Sequence, residues 1–164
     1  MVNFHNPRDY AQSKQKQVDD YPFGGGAGMV LMPEPIFDAM ESLVAGGACH
    51  RVYLAPDGEP LSPRMAQSLA EKDQIVFFSG HYEGIDERAI EALSPLRLSI
   101  GDFVVSGGEL PAMLLVDAIA RLQPSVLGHE LSASEDSFSV TDEEGSQLLD
   151  CPHYTRPRSW RGRE

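Results

Sequence analysis

Three charged side chains of this chain are of types that can transfer a proton or bind an ion. Asp136 lies in a polar stretch, where a carboxylate can be brought to a substrate when a loop closes, although a solvated linker acid is the simpler interpretation. Arg121 either complements a helix dipole or holds an anion or a nucleobase edge in its guanidinium fork. Glu83, between Tyr82 and Gly84, either caps the next helix or faces a cationic ligand.

Glycine-bearing segments follow each of the predicted strands, at residues 56–58, 80–84 and 106–108. In an open parallel sheet, ligands bind beyond the carboxyl ends of the strands. Glycine lets backbone amides come close to a ligand there, because it has no Cβ atom. Each segment alone is more simply a turn. Their occurrence at consecutive strand ends favours a ligand-binding crevice.

The elements that would position these loops alternate along the chain. Apolar runs and helical periodicity predict strands at 51–55, 74–78 and 96–105, the last interrupted near Gly101-Asp102, and helices at 36–44, 62–72, 86–93 and 109–122. Pro56-Asp57-Gly58 predicts a turn that stops the first strand, and Gly46-Gly47 predicts the end of the first helix. Residues 1–28 are polar and predicted to be irregular. Strands alternating with helices predict an α/β fold with a parallel sheet flanked by helices.

Common nucleotide and metal motifs do not fit this sequence. Residues 24–28 fail the GxGxxG pattern because Met29 stands at its last glycine, and no GxxxxGK[ST] segment occurs. His129-Glu130 lacks the second histidine of a zinc-binding helix. Cys151 and His153 supply at most two soft ligands, which favours a structural role over a metal site.

The net charge of −12 limits what this segment can bind by itself. Nucleic-acid binders usually carry a basic surface, because phosphate neutralisation supplies most of the affinity. The last nine residues hold Arg156, Arg158, Arg161 and Arg163, and without them 9 basic and 24 acidic residues give −15. Tight RNA binding would therefore need this tail, a partner subunit or a further domain.

The composition predicts a cytoplasmic protein without a membrane segment. No apolar run approaches the roughly 18 residues of a membrane-spanning helix. The N-terminus also lacks the apolar core of a secretory signal. Cys49 and Cys151 form no disulfide framework, so a reducing compartment is expected.

Long motifs in a fixed order resemble one family over nearly the whole chain. They are QVDDYPFGGGAGMVL, GHYEGIDER, SIGDFVVSGGELPAM and LLDCPHYTRP. By these motifs the sequence is similar to the bacterial TrmD-type tRNA (guanine-N1)-methyltransferases of the SpoU–TrmD knotted superfamily. Any one motif would be a weak signal, whereas the ordered set is highly specific.

The resemblance implies a parallel α/β domain whose C-terminal part forms a deep trefoil knot, the SPOUT-type fold, which is an exception to the rule against knots. Its loops would bind S-adenosylmethionine, and two subunits of a homodimer would share each active site. The implied reaction methylates N1 of the guanosine immediately 3′ of the anticodon in tRNA. Magnesium ion would be needed, with Glu83 and Asp136 as candidate oxygen ligands.

Matched residue by residue, the resemblance also implies an active site. Asp136 would be the general base that takes the proton from guanine N1, and Arg121 would stabilise the charge that develops on the base. Asp150 and His153 would lie near the cofactor and the RNA. The cofactor pocket would be lined by Tyr53, Leu54 and Pro56 from the first loop, by Gly80, Tyr82, Glu83 and Gly84 from the second, and by Ile100, Gly101, Phe103, Val105, Gly107 and Gly108 from the third.

Against the family pattern, the chain is expected to be truncated at both ends. Residues 1–128 would form the knotted cofactor-binding domain without the family's first strand and helix. Residues 129–164 would form an acidic, flexible interdomain loop and the start of a linker, because residues 129–150 hold seven acids and no lysine or arginine. The family's tRNA-binding C-terminal domain would be absent.

The sequence leaves three hypotheses of function. The first is the methyl transfer itself. The second is a catalytically incomplete fragment that acts only as a cofactor-binding or dimerising module, which the charge of −12 favours. The third is an unrelated α/β nucleotide-binding protein, which would bind adenine dinucleotides without binding S-adenosylmethionine and requires the motif resemblance to be accidental.

Overall fold

The structure is a computed structural model that describes residues 1–44, 49–128 and 136–163. The predicted helix end at Gly46-Gly47 and the pair His129-Glu130 lie outside these residues. The chain divides into two compact units, Met1–Ala120 and Arg121–Glu164. The domain boundary expected after residue 128 stays a prediction.

The first unit alternates strands with helices, as the sequence predicts. Its elements in chain order are a 3₁₀ turn at Pro7–Tyr10, β1 (Asp19–Asp20), β2 (Val30–Leu31), α1 (Pro33–Val44), β3 (His50–Pro60), α2 (Pro63–Ala70), β4 (Ile75–Ser79), α3 (Glu87–Leu93), β5 (Leu96–Ser99) and α4 (Glu109–Ala120). In the main sheet, β3 lies between β4 and β5 and runs parallel to both. The predicted parallel α/β sheet with flanking helices is confirmed.

Helices cover both faces of the main sheet because alternate side chains of β3 point to opposite sides. Val52 and Leu54 belong to a buried cluster that includes residues of α2 and α4. Tyr53 and Ala55 belong to a second cluster, with buried residues of α1 and α3. Burial on both faces explains why residues 52–55 of this strand are apolar without alternation.

β5 is shorter than the sequence pattern predicted. It ends at Ser99, whereas the apolar run predicted a strand over residues 96–105 with an interruption near Gly101-Asp102. The Ser99 hydroxyl bonds to the backbone of Gly101, accepting from its amide at 3.2 Å and donating to its carbonyl oxygen at 3.1 Å. This local bonding replaces ladder hydrogen bonds and turns the chain out of the sheet, so residues 100–108 form a loop.

β3 is longer than predicted and contains a large bulge at residues 55–58. Both Leu54 and Glu59 pair with Leu98 of β5. Residues 55–58, which include the predicted turn, therefore loop out between two pairs of the same ladder. The turn residues do not end the strand, because β3 returns to pair with β5 as far as Pro60.

The helix starts are set by side-chain caps in two cases. Ser62 Oγ accepts from the Met65 amide at 3.3 Å at the start of α2, and Asp86 Oδ1 accepts from the Arg88 amide at 3.0 Å at the start of α3. Because Asp86 caps α3, the alternative that Glu83 caps this helix is wrong. Within the described ranges, no helix has the length and apolar character needed to cross a membrane.

Other boundaries also differ from the sequence prediction, since α1 begins at Pro33 rather than at residue 36 and α2 ends at Ala70 rather than at residue 72. The N-terminal stretch, predicted to be irregular, contributes β1, which pairs antiparallel with β2. α4 ends at Ala120 rather than at residue 122. Propensity alone fixes helix ends poorly, because terminal residues lack hydrogen-bond partners within the helix.

The second unit contains a small hairpin within the acidic stretch. The Phe138 amide donates to the Leu148 carbonyl at 2.6 Å, and the Leu148 amide donates to the Val140 carbonyl at 2.8 Å. The carboxylate of Asp142 closes the turn by accepting two backbone amides. The described part of this stretch thus has its own hydrogen bonds, and the flexibility expected for it stays a prediction.

Gly58→Ala tests how closely the bulge of β3 lies against β5. A Cβ atom at position 58 would stand 2.4 Å from the Leu98 amide nitrogen and 2.7 Å from the Arg97 carbonyl carbon, both of them backbone atoms that cannot rotate away. We expect this variant to lower the free energy of unfolding by about 1–3 kcal/mol, the cost of overpacking, in urea denaturation. Gly128→Ala is the control, since a Cβ there has no described atom within 4 Å. Equal stability of the two variants would contradict this close approach.

Candidate active site

Loops at the carboxyl ends of the main-sheet strands line a cavity of about 510 Å³. They are the bulge 55–58, the turn 80–84 after β4 and the loop 100–108 after β5. Every residue that the resemblance assigns to the cofactor lies on its wall, namely Tyr53, Leu54, Pro56, Gly80, Tyr82, Glu83, Gly84, Ile100, Gly101, Phe103, Val105, Gly107 and Gly108. The glycine-bearing loops therefore meet as the sequence predicted, and contact of these residues with a cofactor stays a prediction.

The third loop is packed tightly against the end of β4. A Cβ atom at Gly108 would lie only 1.9 Å from Ser79 Oγ, so this position requires glycine. The contact joins the start of α4 to the strand that carries the second loop. Two of the three loops are thereby held together by packing of the Gly108 backbone on the Ser79 side chain.

Tyr53 forms an aromatic part of the cavity wall. Its ring stacks on Phe78 with a centroid distance of 5.3 Å, and the residue is buried. Burial, reinforced by the nearby Asp57 carboxylate, raises the pKa of the Tyr53 phenol. The phenol is therefore neutral at physiological pH and can donate a hydrogen bond.

Side chains of both signs also line the cavity. They are three carboxylates, Asp57, Glu83 and Glu87, and one guanidinium, Arg97, which gives a formal sum of −2. A concave site with this sum favours a cationic ligand over an anionic one. Glu83 is exposed on this wall, and the alternative that it faces a cationic ligand stays a prediction.

Sequence reasoning assigned no role to His81 and Glu109. His81 lines the cavity, and its Nε2 lies 3.0 Å from Glu109 Oε1 in the first turn of α4. Hydrogen bonding to His81 holds the pKa of Glu109 below its ordinary value. The signal in the sequence was their position, because each residue directly adjoins a glycine of a predicted loop.

In the second unit, the residues predicted for chemistry form one chain of hydrogen bonds. Arg121 Nη2 donates to Asp136 Oδ2, and the Ser137 amide donates to Asp136 Oδ1 at 3.0 Å. Ser137 Oγ accepts from the Asp150 amide at 3.0 Å, and Asp150 Oδ2 lies 2.8 Å from His153 Nε2. Two hydrogen bonds of Ser137 thus connect the predicted catalytic pair with the predicted substrate residues.

These contacts set the protonation states of the group. The hydrogen bond from Arg121, helped by the Ser137 amide, lowers the pKa of Asp136. The hydrogen bond between Asp150 and His153 lowers the pKa of the carboxyl and raises that of the imidazole. An ionised carboxylate beside a fixed guanidinium can accept a proton while the cation stabilises a nearby anion.

The candidate metal ligands among the described residues are Glu83, Asp136 and the group of Asp150, Cys151 and His153. Each carboxylate oxygen of Asp136 already accepts one hydrogen bond, so an ion there would share these oxygens with Arg121 and the Ser137 amide. Glu83 offers oxygen ligands of the kind that magnesium prefers. The side-chain ligand atoms of Asp150, Cys151 and His153 lie within 4.8 Å of one another, and the Asp150–His153 hydrogen bond accounts for this grouping.

An open parallel sheet with a glycine-lined cavity at the carboxyl ends of its strands defines a ligand-binding α/β domain. The family model described as tRNA (Guanine-1)-methyltransferase TrmD matches residues 1–164. The chain belongs to this family, as its motifs predicted.

Curated relatives agree with the family match. The chain is 53% identical over 161 residues to a tRNA (guanine-N(1)-)-methyltransferase of Staphylococcus carnosus, covering 98% of this chain and 63% of the relative. It is 49% identical to that of Moorella thermoacetica and 51% identical to that of Bacillus licheniformis, covering 99% of this chain and 64% of the relative in each case. The chain thus spans less than two thirds of the length of these relatives.

Arg121→Gln is expected to raise the pKa of Asp136, because it removes the guanidinium that stabilises the carboxylate. The depressed pKa means that the pair stabilises the unit above the ordinary aspartate value, and that this contribution is lost as the pH falls through the lowered value. A carbon-13 NMR titration of the carboxyl group measures the shift. Arg121→Lys keeps the charge and should retain most of it. An Asp136 pKa that is the same in the glutamine variant and the parent chain would show that the pair does not form.

Proposed function

We propose that this chain carries the catalytic residues of an enzyme that transfers a methyl group from S-adenosylmethionine to N1 of the guanosine immediately 3′ of the anticodon in tRNA. The observation that carries the proposal is the cavity, whose wall includes every residue matched to the family's cofactor pocket. The names of the relatives support a tRNA substrate and guanine N1 as the target. Since the chain spans only part of their length, its activity, substrate and partners are all part of the proposal.

The size and charge of the cavity support S-adenosylmethionine as the cofactor. Its volume of about 510 Å³ falls within the range of roughly 300–1,000 Å³ that is usual for small-ligand pockets. The formal sum of −2 on its wall suits the sulfonium cation. The backbone of the third loop would bind the edge of the adenine, because glycines there allow a close approach. When bound, the cofactor supplies an electrophilic methyl group.

Asp136 and Arg121 would carry the proton chemistry. The N1–H of guanine is a weak acid, and removing its proton creates the nucleophile. The Asp136 carboxylate would take this proton and become a neutral acid. The Arg121 guanidinium, left without its anionic partner, would then stabilise the negative charge on the guanine. Pairing weakens Asp136 as a base, so movement of Arg121 toward the guanine would also restore its basicity.

Asp150 and His153 would hold the substrate beside this pair. Their hydrogen bond keeps the imidazole more easily protonated, because the carboxylate raises the pKa of His153. A protonated imidazole is a suitable donor to an RNA phosphate or base oxygen. Their link to Asp136 through Ser137 supports a role near the reacting base.

We also propose the trefoil knot and the domain assignment that the family implies. The close packing of Gly58 on the backbone of Arg97 and Leu98 supports a chain crossing at β5. The Leu61 amide, just after β3, also donates to the Ser99 carbonyl at 2.8 Å, which keeps the returning chain against β5. Residues 1–128 would form the knotted domain, and 129–164 the interdomain loop and linker.

The basic tail supports contact with tRNA. Four arginines lie within residues 156–163 of an otherwise strongly acidic chain. Arg161 stands over the Trp160 ring, with Cζ 4.8 Å from the ring centroid, and both residues are exposed. An exposed aromatic ring beside guanidinium groups suits stacking on a base and binding of phosphates. The cytoplasm, where tRNA is modified, is the proposed location.

Exposed apolar side chains on α4 support a homodimer with shared active sites. Leu110 and Met113 are 65% and 67% exposed. Neighbouring apolar side chains that are exposed in one chain often mark a surface that a partner covers. We expect the parent chain to sediment as a dimer in analytical ultracentrifugation and Leu110→Glu/Met113→Glu to sediment as a monomer. The control is Leu149→Glu, which adds a charge at an equally exposed leucine of the second unit. A monomeric parent chain at micromolar concentration would rule out this interface.

Magnesium ion is proposed as a requirement for catalysis. Glu83 fits as an oxygen ligand, because its carboxylate is exposed on the cavity wall. Asp136 fits less well, since Arg121 and Ser137 occupy its oxygens. The ion would supply positive charge near the reacting groups.

Asp136→Asn is the central test of the proposed reaction. The amide cannot accept the N1 proton, so we expect the rate of methyl transfer to a tRNA with guanosine 3′ of the anticodon to fall by about 10²–10⁴-fold. Cofactor binding, followed by calorimetry, should stay unchanged. Asp142→Asn is the control, because it removes the same charge at the hairpin turn. A fully active asparagine variant would exclude Asp136 as the general base.

The charge of −12 favours one alternative, a module that binds the cofactor or dimerises without methylating RNA. The same assay separates the two functions. Saturable cofactor binding without any transfer to tRNA would support the module. Absence of cofactor binding by the folded chain would overturn both the enzyme and a cofactor-binding module, and would leave only the dimerising module.

A further inference from the structure

Arg97 lies at the centre of a three-residue charge cluster on the cavity wall. Its Nη1 donates to Asp57 Oδ2 at 2.7 Å, and its Nη2 donates to Glu87 Oε1. All three side chains line the cavity. One guanidinium on β5 therefore connects the bulge 55–58 with the first turn of α3.

Backbone geometry brings Asp57 to Arg97. Arg97 is in register with Tyr53 of β3, so the bulge begins on the strand next to it. Gly58 lies against the backbone of Arg97 and Leu98, as its missing Cβ allows. Asp57 precedes this fixed point directly and is therefore held within reach of the guanidinium.

The Arg97 cluster differs from an ordinary surface pair because two carboxylates share one guanidinium. The side chains of Arg97, Asp57 and Glu87 are 33%, 63% and 58% exposed, whereas the single pair of Arg88 and Asp86 at the start of α3 is 79% and 22% exposed. A guanidinium that donates to two carboxylates restricts the positions of both. The Arg88 pair lies outside the cavity wall and offers a matched comparison.

The cluster also lies close to the aromatic wall of the cavity. Burial is the main cause of the raised pKa of Tyr53. The charges of Asp57 and Glu87 raise this pKa further, whereas the charge of Arg97 lowers it. All three charges thus act on a phenol that lines the same space.

We propose that Arg97 is a positioning residue for the cofactor, which holds the bulge 55–58 against α3 so that this wall of the cavity is formed before the ligand enters. The inference rests on the proposed function, because the ligand is S-adenosylmethionine. A loop that is ordered in advance costs less conformational entropy on binding. Pro56, which is matched to the family's cofactor pocket, lies in this bulge and is positioned with it.

Loss of Arg97 has two opposite consequences that an experiment can separate. A loosened bulge weakens the binding of every ligand of the cavity, whatever the charge of that ligand. Removing one positive charge makes the wall more negative, which would favour a cation. S-adenosylmethionine carries a sulfonium cation, whereas its product S-adenosylhomocysteine carries a neutral thioether, so the two ligands respond differently only to the charge.

Calorimetric titration of the full chain with both ligands tests the role of Arg97. We expect Arg97→Gln to lower the affinity for both ligands by about tenfold, which is the size of effect that two partly exposed charge pairs can produce. Asp57→Asn should weaken both as well, and the double variant should bind no worse than Arg97→Gln, because the two residues act as one pair. Arg88→Gln is the matched control and should bind like the parent chain.

The kinetic signature distinguishes positioning from general damage to the fold. With the tRNA assay, Arg97→Gln should raise KM for the cofactor and leave kcat and KM for tRNA unchanged. Thermal unfolding checks that each variant is folded. Should Arg97→Gln fail to fold, Asp57→Asn and Glu87→Gln test the same contacts from their partners.

The remaining outcomes overturn the inference. Unchanged binding of both ligands by folded Arg97→Gln would show that the bulge needs no such support. If Arg97→Gln binds S-adenosylmethionine more tightly and binds the product as the parent chain does, Arg97 acts only through its charge and not by positioning the bulge. Failure of the parent chain to bind either ligand would overturn the proposed function itself, and this inference with it.

Discussion

The close approach of Gly58 to β5 is the constraint on which the cavity depends. After leaving the sheet at Ala55, the chain returns to pair again with Leu98, and this return is possible only where the backbone of β5 can be approached without a side chain. A bulky residue there would push the bulge outward. The first loop would then separate from the other two, and the cavity would lose one wall.

Opposite charges hold the candidate functional side chains of both units in place. In the first unit, Arg97 ties together two carboxylates of the cavity wall. In the second, Arg121 and the Ser137 amide hold Asp136 ionised. The physical reason is the same in each case: a carboxylate with hydrogen-bond donors on both oxygens has few orientations, and so it presents a defined geometry to a ligand.

The distribution of charge along the chain follows its proposed tasks. The cavity wall carries a formal sum of −2, which suits a cationic cofactor, whereas positive charge is concentrated in residues 156–163. A polyanionic substrate is repelled by the first region and attracted by the second. An enzyme that used both would therefore bind its cofactor and its RNA with chemically different surfaces.

Much of this architecture could be predicted from the sequence, because it depends on local properties. Apolar runs and helical spacing predicted the order and type of the main elements, and glycines at strand ends predicted where the loops would meet. The resemblance to the family, matched residue by residue, assigned the candidate cofactor residues, which line the cavity, and the pair Arg121 and Asp136, which are hydrogen-bonded to each other. Apolar runs, helical spacing and glycine positions each involve residues that are close in sequence, so they can be recognised without knowing the tertiary structure.

Only the tertiary structure decided where β5 ends, how far β3 continues and which charges meet. The apolar run at 96–105 predicted a strand interrupted near Gly101-Asp102, whereas the strand ends at Ser99, whose hydroxyl bonds to the Gly101 backbone. Pro56-Asp57-Gly58 is a turn signal in any sequence, and its place inside a β3–β5 ladder depends on pairing with Leu98. Asp57 and Arg97 are 40 positions apart, and their contact follows from that register. Interactions between distant residues are set by packing and strand register, which single-residue preferences do not encode.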